Sequence, residues 1–252
     1  MCRISGARRW RGRPSRAARR PSLRGGAGAL LLAAALSACA GAAGDVPRDR
    51  EGRAVPADRF ACADPLVDGL MVDPVREPVP GSATLAARDG AAGAPPVTGA
   101  VCRIARPVKA RALGGIAISE PALLDCAMAR RLAAWLKDVA DPVALRILGS
   151  RIAEVRSFGA YSCRPVNNRA GSALSQHAFG RAFDVGGFTL ADGRRISVLG
   201  DWGRGDAGIF LAQIRRQACA MFRTVLGPGS DRFHTDHLHV DLAPRAGPAY
   251  CR

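Results

Sequence analysis

Two apolar stripes at helical spacing and four short runs that alternate with a period of two organise residues 101–252 of this chain. The first stripe comprises Leu123, Leu124, Ala127, Leu132, Trp135, Leu136 and Val139. Recurrence every three or four residues marks one buried face of a helix. Ser119-Glu120-Pro121, just ahead of it, has the composition of a helix start, with Ser as N-cap and Glu and Pro in the first turn. Asp141-Pro142 is expected to stop that helix. The second stripe, Phe210, Ile214, Ala218, Met221, Phe222 and Val225, predicts a helix over about residues 207–226, ended by Gly227-Pro228. The strand-like runs are residues 115–118, 151–158, 181–187 and 237–242. Helices and short strands mixed in this way predict an α+β domain, with a small, mostly antiparallel sheet packed against helices.

The preceding residues have a different pattern. Residues 1–38 carry an Arg-rich start and an apolar run, residues 27–38, too short to span a bilayer as a helix. They read as an export signal to be excluded from the fold. The signal ends in Leu36-Ser37-Ala38-Cys39, which resembles the bacterial lipoprotein box, so Cys39 is the expected lipidated residue after cleavage. Arg19-Arg20-Pro21-Ser22-Leu23-Arg24 loosely resembles a twin-arginine export signal. Residues 39–60, rich in Gly, Ala, Pro, Asp and Arg, read as a flexible tether. Residues 61–100, rich in Pro and Gly, read as an irregular arm with no core of its own. The globular domain is residues 101–252.

Cysteine usage agrees with export. Setting aside Cys2 and Cys39, six remain: Cys62, Cys102, Cys126, Cys163, Cys219 and Cys251. No pair has the C-x-x-C spacing of a structural zinc site, and six spread cysteines in an exported chain read as three disulfides. Their pairing stays open. Cys251 is expected to staple the C-terminus to the body, with Cys219 a candidate partner. Charge adds less than it first promises. The chain carries +16, but nine of its 37 Lys and Arg are arginines in residues 1–38, which hold no acid. The other 28 face 21 acidic residues, leaving +7. That mild excess suits an anionic surface such as cell-wall polymer or lipid headgroups. Basic runs interleaved with aromatics are missing, so nucleic acid is not an expected partner.

The chemistry is concentrated in the histidines. All four lie between His177 and His239. In Asp236-His237-Leu238-His239-Val240-Asp241-Leu242, period-two alternation places His237, His239 and Asp241 on one face and the apolar residues on the other. In Arg181-Ala182-Phe183-Asp184-Val185-Gly186, the same rule separates Asp184 from Phe183 and Val185, with small Ala182 and Gly186 beside it. His177 sits seven residues earlier, ahead of a turn at Gly180. Two imidazoles and a carboxylate form a zinc site with one position open to water. Asp241 is better placed to accept an imidazole N–H than to ligate. Asp192-Gly193 reads as a hairpin turn.

Ser175-x-His177-x-x-Gly180-x-Ala182-x-Asp184, followed by His237-x-His239, resembles the zinc peptidase superfamily of D-Ala-D-Ala carboxypeptidases, murein endopeptidases and the Hedgehog signalling domain. The stretch from Tyr161-Ser162-Cys163-Arg164 to Cys251-Arg252 resembles the bacterial extensin-like C-terminal domain family. Matching features include Gly186-Gly187-Phe188, Cys219-x-x-Phe222 and Val225-Leu226-Gly227-Pro228. The resemblance implies His177, Asp184 and His239 as ligands of Zn2+, and His237 beside the metal as oxyanion stabiliser or water-orienting group. It implies Arg164 facing a substrate carbonyl or carboxylate, and Ser175 holding the ligand loop. The dipeptidase branch has a Glu base just ahead of its last ligand, whereas the last Glu here is Glu154. His234 stands where the murein endopeptidase branch has a His, which makes it the expected base, oriented by Asp231 or Asp236. The expected protein is therefore a monomeric zinc metallopeptidase acting on peptidoglycan. It would be lipid-anchored through Cys39 in the periplasm, on the outer membrane. The alternative is a non-catalytic wall-binding or scaffold lipoprotein with a structural or recognition zinc.

Overall fold

In the computed structural model, residues 60–80 and 101–252 are described; the signal segment, Cys39, the tether as far as residue 59 and residues 81–100 of the arm lie outside them. The frame is a nine-stranded sheet. Its strands are β1 (Val67–Met71), β4 (Pro107–Leu113), β5 (Ile116–Asp125), β6 (Ile152–Gly159), β7 (Ala182–Leu190), β8 (Arg195–Ser197), β9 (Thr224–Leu226), β10 (Leu238–Asp241) and β11 (Tyr250–Cys251). They run in the order β1-β4-β5-β6-β7-β10-β9-β11, and β8 shares an edge of β7 with β10. Among the described residues, only β5–β6 and β9–β11 are parallel pairs. A separate hairpin-like pair, β2 (Val75–Pro78) and β3 (Val101–Ile104), is antiparallel. The helices are α1 (Cys126–Trp135), α2 (Asp141–Leu148), α3 (Val198–Asp201) and α4 (Gly205–Ala218). The fold is a disulfide-stapled α+β domain, as the pattern predicts. Among the described residues no helix is long and apolar enough to cross a membrane.

All four predicted strands are present, each extended or trimmed at its ends. The helices differ more. Ser119-Glu120-Pro121 does not open a helix; it lies within β5. Ala110 pairs with Ala122 and Ala112 with Ala117, so four residues of β5 bulge opposite Arg111 alone. A bulge tolerates Pro because no ladder bond is required of it. Ser119 Oγ accepts the backbone N–H of Ser157 on β6 at 3.0 Å. The true N-cap is Asp125, whose carboxylate accepts the Ala127 N–H at 2.9 Å. Nor does Asp141-Pro142 end the helical run. A π-helical turn over Leu136–Ala140 carries the chain into α2, whose first turn contains Pro142. The first-turn N–H is an orphan in any helix, so Pro fits there. The second predicted helix stops at Ala218, eight residues early, and Thr224–Leu226 form β9 instead. Val225 and Phe222 are buried in either geometry, so the apolar stripe could not decide between them.

The Pro- and Gly-rich arm also contributes regular structure. β1 pairs antiparallel with β4 and forms the edge of the main sheet. The core lies between the sheet and α1, α2 and α4. Trp135, Phe183, Phe188, Phe210 and Phe222 are its largest fully buried side chains. Trp135 meets Phe222 edge-on with ring centres 6.1 Å apart, and Phe188 meets Phe210 at 5.4 Å. Such pairs add roughly 0.5–1.5 kcal/mol beyond burial of their area. Asp192-Gly193 is the β7–β8 turn, with Leu190 and Arg194 bonded across it. The six cysteines pair as Cys62–Cys126, Cys102–Cys163 and Cys219–Cys251, with Cα separations of 5.3, 5.5 and 6.1 Å.

Candidate metal centre

Sheet register builds the site. His239 on β10 stands directly opposite Asp184 on β7, and on the other flank of β7 Asp184 is opposite Gly159, the last residue of β6. A carboxylate in the middle of a sheet thus has an imidazole on one side and no side chain on the other. The vacancy at Gly159 is required, because a Cβ there would fall 2.9 Å from Asp184 Oδ2 and 3.8 Å from the His177 ring. His177 enters from a single 3-10 turn, Gln176–Phe179, capped by Ser175, whose Oγ accepts the His177 N–H. Gly180 closes the turn at φ +60°. Its carbonyl accepts the N–H of Asp125, and a Cβ would meet that nitrogen at 2.7 Å. The His177 turn is thereby fixed against the start of α1.

The three side chains converge. His177 Nε2 lies 3.2 Å from Asp184 Oδ2, and His239 Nδ1 lies 2.8 Å from Asp184 Oδ1. One ligating atom from each of the three falls within 4.8 Å of the others. His177 is 2 % exposed, Asp184 8 % and His239 9 %. Charged groups buried to this extent persist only when paired or bound to a metal. Burial alone would raise the Asp184 carboxyl, but hydrogen bonds from His177 and His239 overcome it and hold the group well below the usual carboxylate range. His239 has the opposite balance: burial disfavours its cation, while Asp184 and Asp241 raise it to about 9.

The remaining ring nitrogens decide whether a cation suits the site. His177 Nδ1 donates to the carbonyl of Ala160, which leaves Nε2 as the ligating atom. His239 Nε2 is 3.3 Å from Asp241 Oδ2, which leaves Nδ1. Each imidazole thus presents one nitrogen to the shared point and anchors the other on a protein acceptor, the arrangement that orients metal-bound histidines. Two imidazoles and a carboxylate suit zinc with a fourth position free. The donor set fits the metal, and a cation would take the place of the proton on His239 Nδ1.

Two more histidines complete the floor. His237 Nε2 lies 3.6 Å from Asp184 Oδ1, and its Nδ1 lies 2.8 Å from Asp236. His234 Nδ1 lies 2.7 Å from Asp231, its ring centre 5.1 Å from that of His237 and 5.6 Å from that of His239. Asp231 is therefore the orienting partner of His234, and Asp236 belongs to His237. Burial, more than neighbouring charge, lowers the pKa of His234. The ring is held neutral and able to take a proton.

The four histidines, Asp184 and Asp241 line one cleft of about 660 Å³. Arg164 and Ser175 also line it. Glu154 does not; it accepts the Thr189 hydroxyl on the sheet. Sequence reasoning missed Arg245, Tyr250 and Phe158. Arg245 and Tyr250 come from the C-terminal tail, brought to the cleft by β11 pairing with β9. No motif marks them. Phe158 lies over Gly186, where a Cβ would fall 2.1 Å from its ring, and stands 6.5 Å from His237. The space beside Asp184 is therefore less open than the small residues imply.

The extensin-like protein C-terminus family matches residues 84–252, two thirds of the chain and all of the cleft. The chain belongs to that family. No curated protein matches the chain, and no solved structure does. The match begins within the arm and takes in Cys102, so the β3 strand and its disulfide to Cys163 are part of the family's unit.

Proposed function

We propose that this protein is a zinc-dependent hydrolase of peptidoglycan peptide amide bonds, of the carboxypeptidase or endopeptidase type. We place it with the D-Ala-D-Ala carboxypeptidases, murein endopeptidases and Hedgehog domain, as an exported lipoprotein held at the periplasmic face of the outer membrane through Cys39. The observation that carries the reading is the opposition of His239 and Asp184 across two strands, with His177 closing the triad on the floor of a cleft. Zinc bound by these residues supplies a Lewis acid and acidifies water at neutral pH. His234, oriented by Asp231, takes the proton of the attacking water and delivers it to the leaving amine. His237, held by Asp236 through Nδ1–H, turns Nε2 toward the oxyanion and donates to it as the imidazolium. Arg164 binds the peptide from the cleft wall.

The test is mass spectrometry of muropeptides after incubation with zinc-loaded protein. Fragment release is expected from wild type, and a fall of about 100-fold or more for His234→Ala, within the range contributed by a general base. Asp184→Ala is expected to abolish release. Unchanged muropeptides with zinc-loaded wild type would sink the enzymatic reading. One observation favours a second reading: among the described residues no glutamate lines the cleft. A wall-binding lipoprotein with a recognition zinc would stay on insoluble sacculi, release nothing, and detach on chelation.

A further inference from the structure

The acids of the cleft are committed to histidines, and its guanidiniums are not. Asp184 is bonded to His177 and His239, and Asp241 to His239. Arg164 and Arg245 line the same cleft, and neither forms an ion pair with any described carboxylate. Arg245 is nonetheless held in place. Its Nη2 donates to Thr224 Oγ1 at 2.9 Å, and its guanidinium lies 5.7 Å from the centre of the Tyr250 ring. The backbone under it is clamped by Arg223, whose Nη2 donates to the carbonyls of Arg245 and Gly247 at 2.6 and 2.8 Å. Tyr250 is itself fixed by pairing with Thr224 and by the adjacent Cys251–Cys219 bridge. A surface arginine ordinarily loses rotamer freedom when it binds, and one already positioned loses less. The single bond to Thr224 leaves other N–H donors of the fork free for a planar anion.

We propose that Arg245 is a specificity-determining residue that binds a free carboxylate near the scissile amide, so that the substrate class is a peptide acid and not an internal, fully amidated chain. This rests on the hydrolase reading for the reaction but not for the binding. The cleft chemistry agrees: with both carboxylates engaged, Arg164 and Arg245 make its free charge positive. Arg252 provides an internal control, because it flanks the same Tyr250 ring at 5.7 Å but does not line the cleft.

The experiment compares N-acetylated Lys-D-Ala-D-Ala with its C-terminal amide, using the full chain purified in detergent with zinc. Binding is followed by calorimetry and hydrolysis by product release. Wild type is expected to prefer the acid by roughly 10–100-fold, the range of hydrogen bonds to a charged group. Arg245→Gln is expected to bring that preference close to one. Arg245→Lys, which keeps the charge but not the fork, recovers only part of it, and thermal melting confirms that both variants fold. Arg252→Gln keeps the wild-type preference. Equal affinity of wild type for acid and amide, or a preference that survives Arg245→Gln, overturns the assignment. So does equal loss in Arg252→Gln, which would make the effect one of diffuse charge. An Arg245-dependent preference in binding without any hydrolysis supports the carboxylate site and counts against the carboxypeptidase form of the hydrolase, while unchanged muropeptides would refute the hydrolase itself.

Discussion

A single proton position links His239 to metal binding. In the metal-free protein its ring lies between two carboxylates, Asp184 at Nδ1 and Asp241 at Nε2, and its pKa rises to about 9. A group whose folded pKa lies above its unfolded value of about 6.5 stabilises the fold fully below pH 6.5, and that stabilisation is lost as pH rises through about 9. Chelator-treated protein is therefore expected to melt at progressively lower temperature between pH 6.5 and 9.5. Added zinc should protect more strongly over the same interval, because the metal competes with a proton that is leaving anyway. A melting temperature that stays flat between pH 6.5 and 9.5 in chelator would contradict the bridged imidazole. Asp241→Asn removes the anion that anchors Nε2 and is expected to weaken zinc binding by roughly 10–100-fold, measured by competition with a chromophoric chelator. An affinity within twofold of wild type would mean that Asp241 does not orient the ring.

Elements whose side-chain period and burial agree were readable in advance. β7 and β10 carry His and Asp among Phe, Val and Leu, so alternation alone placed Asp184 and His239 on presenting faces. Their direct opposition was not readable, because register depends on pairing between strands far apart in sequence. Helix termini failed for a related reason. Ser-Glu-Pro marks a cap or a bulge equally well, and pairing with β4 on both sides of it made it a bulge. Phe222 and Val225, three residues apart, fit a helical stripe; pairing with β10 nevertheless draws Val225 into β9 and leaves Phe222 buried just ahead of it. The His177 turn depends most on a contact no local signal contains: Gly180 against Asp125, at the N-cap of α1. Gly180→Ala must adopt φ near +60° and displace a backbone nitrogen, at a cost of about 2–4 kcal/mol. That corresponds to a fall in melting temperature of roughly 4–16 °C for a domain of this size. Zinc affinity is expected to drop with it, since the displaced turn carries His177. A melt within 2 °C of wild type would show that the turn is free to move away from α1.

Across the molecule, two of the three disulfides end beside the cleft. Cys163 precedes Arg164, and Cys251 follows Tyr250, while Cys62–Cys126 ties the β1 edge to the start of α1. The candidate metal ligands lie on central strands and a turn fixed by Gly180, with no disulfide among them. Support for the cleft walls and support for the metal floor are therefore separate, and removing one bridge should expose the difference. Cys219 and Cys251 are 32 residues apart, so the bridge restricts the unfolded chain by about 3–4 kcal/mol in the chain-entropy account. The double variant Cys219→Ser/Cys251→Ser is expected to lose about 2–4 kcal/mol of stability. In hydrogen exchange, the amides of Tyr250 and Arg252, which bond to Arg223 and Val225, should lose protection. Zinc affinity should stay within about threefold of wild type, because β10 and β7 keep their pairing without the tail. Loss of zinc binding in parallel with loss of tail protection would refute that separation and make β11 part of the metal centre's support. If tail protection is retained, the two-residue pairing with β9 and the Arg223 clamp hold the wall unaided, and the bridge contributes stability without shaping the cleft.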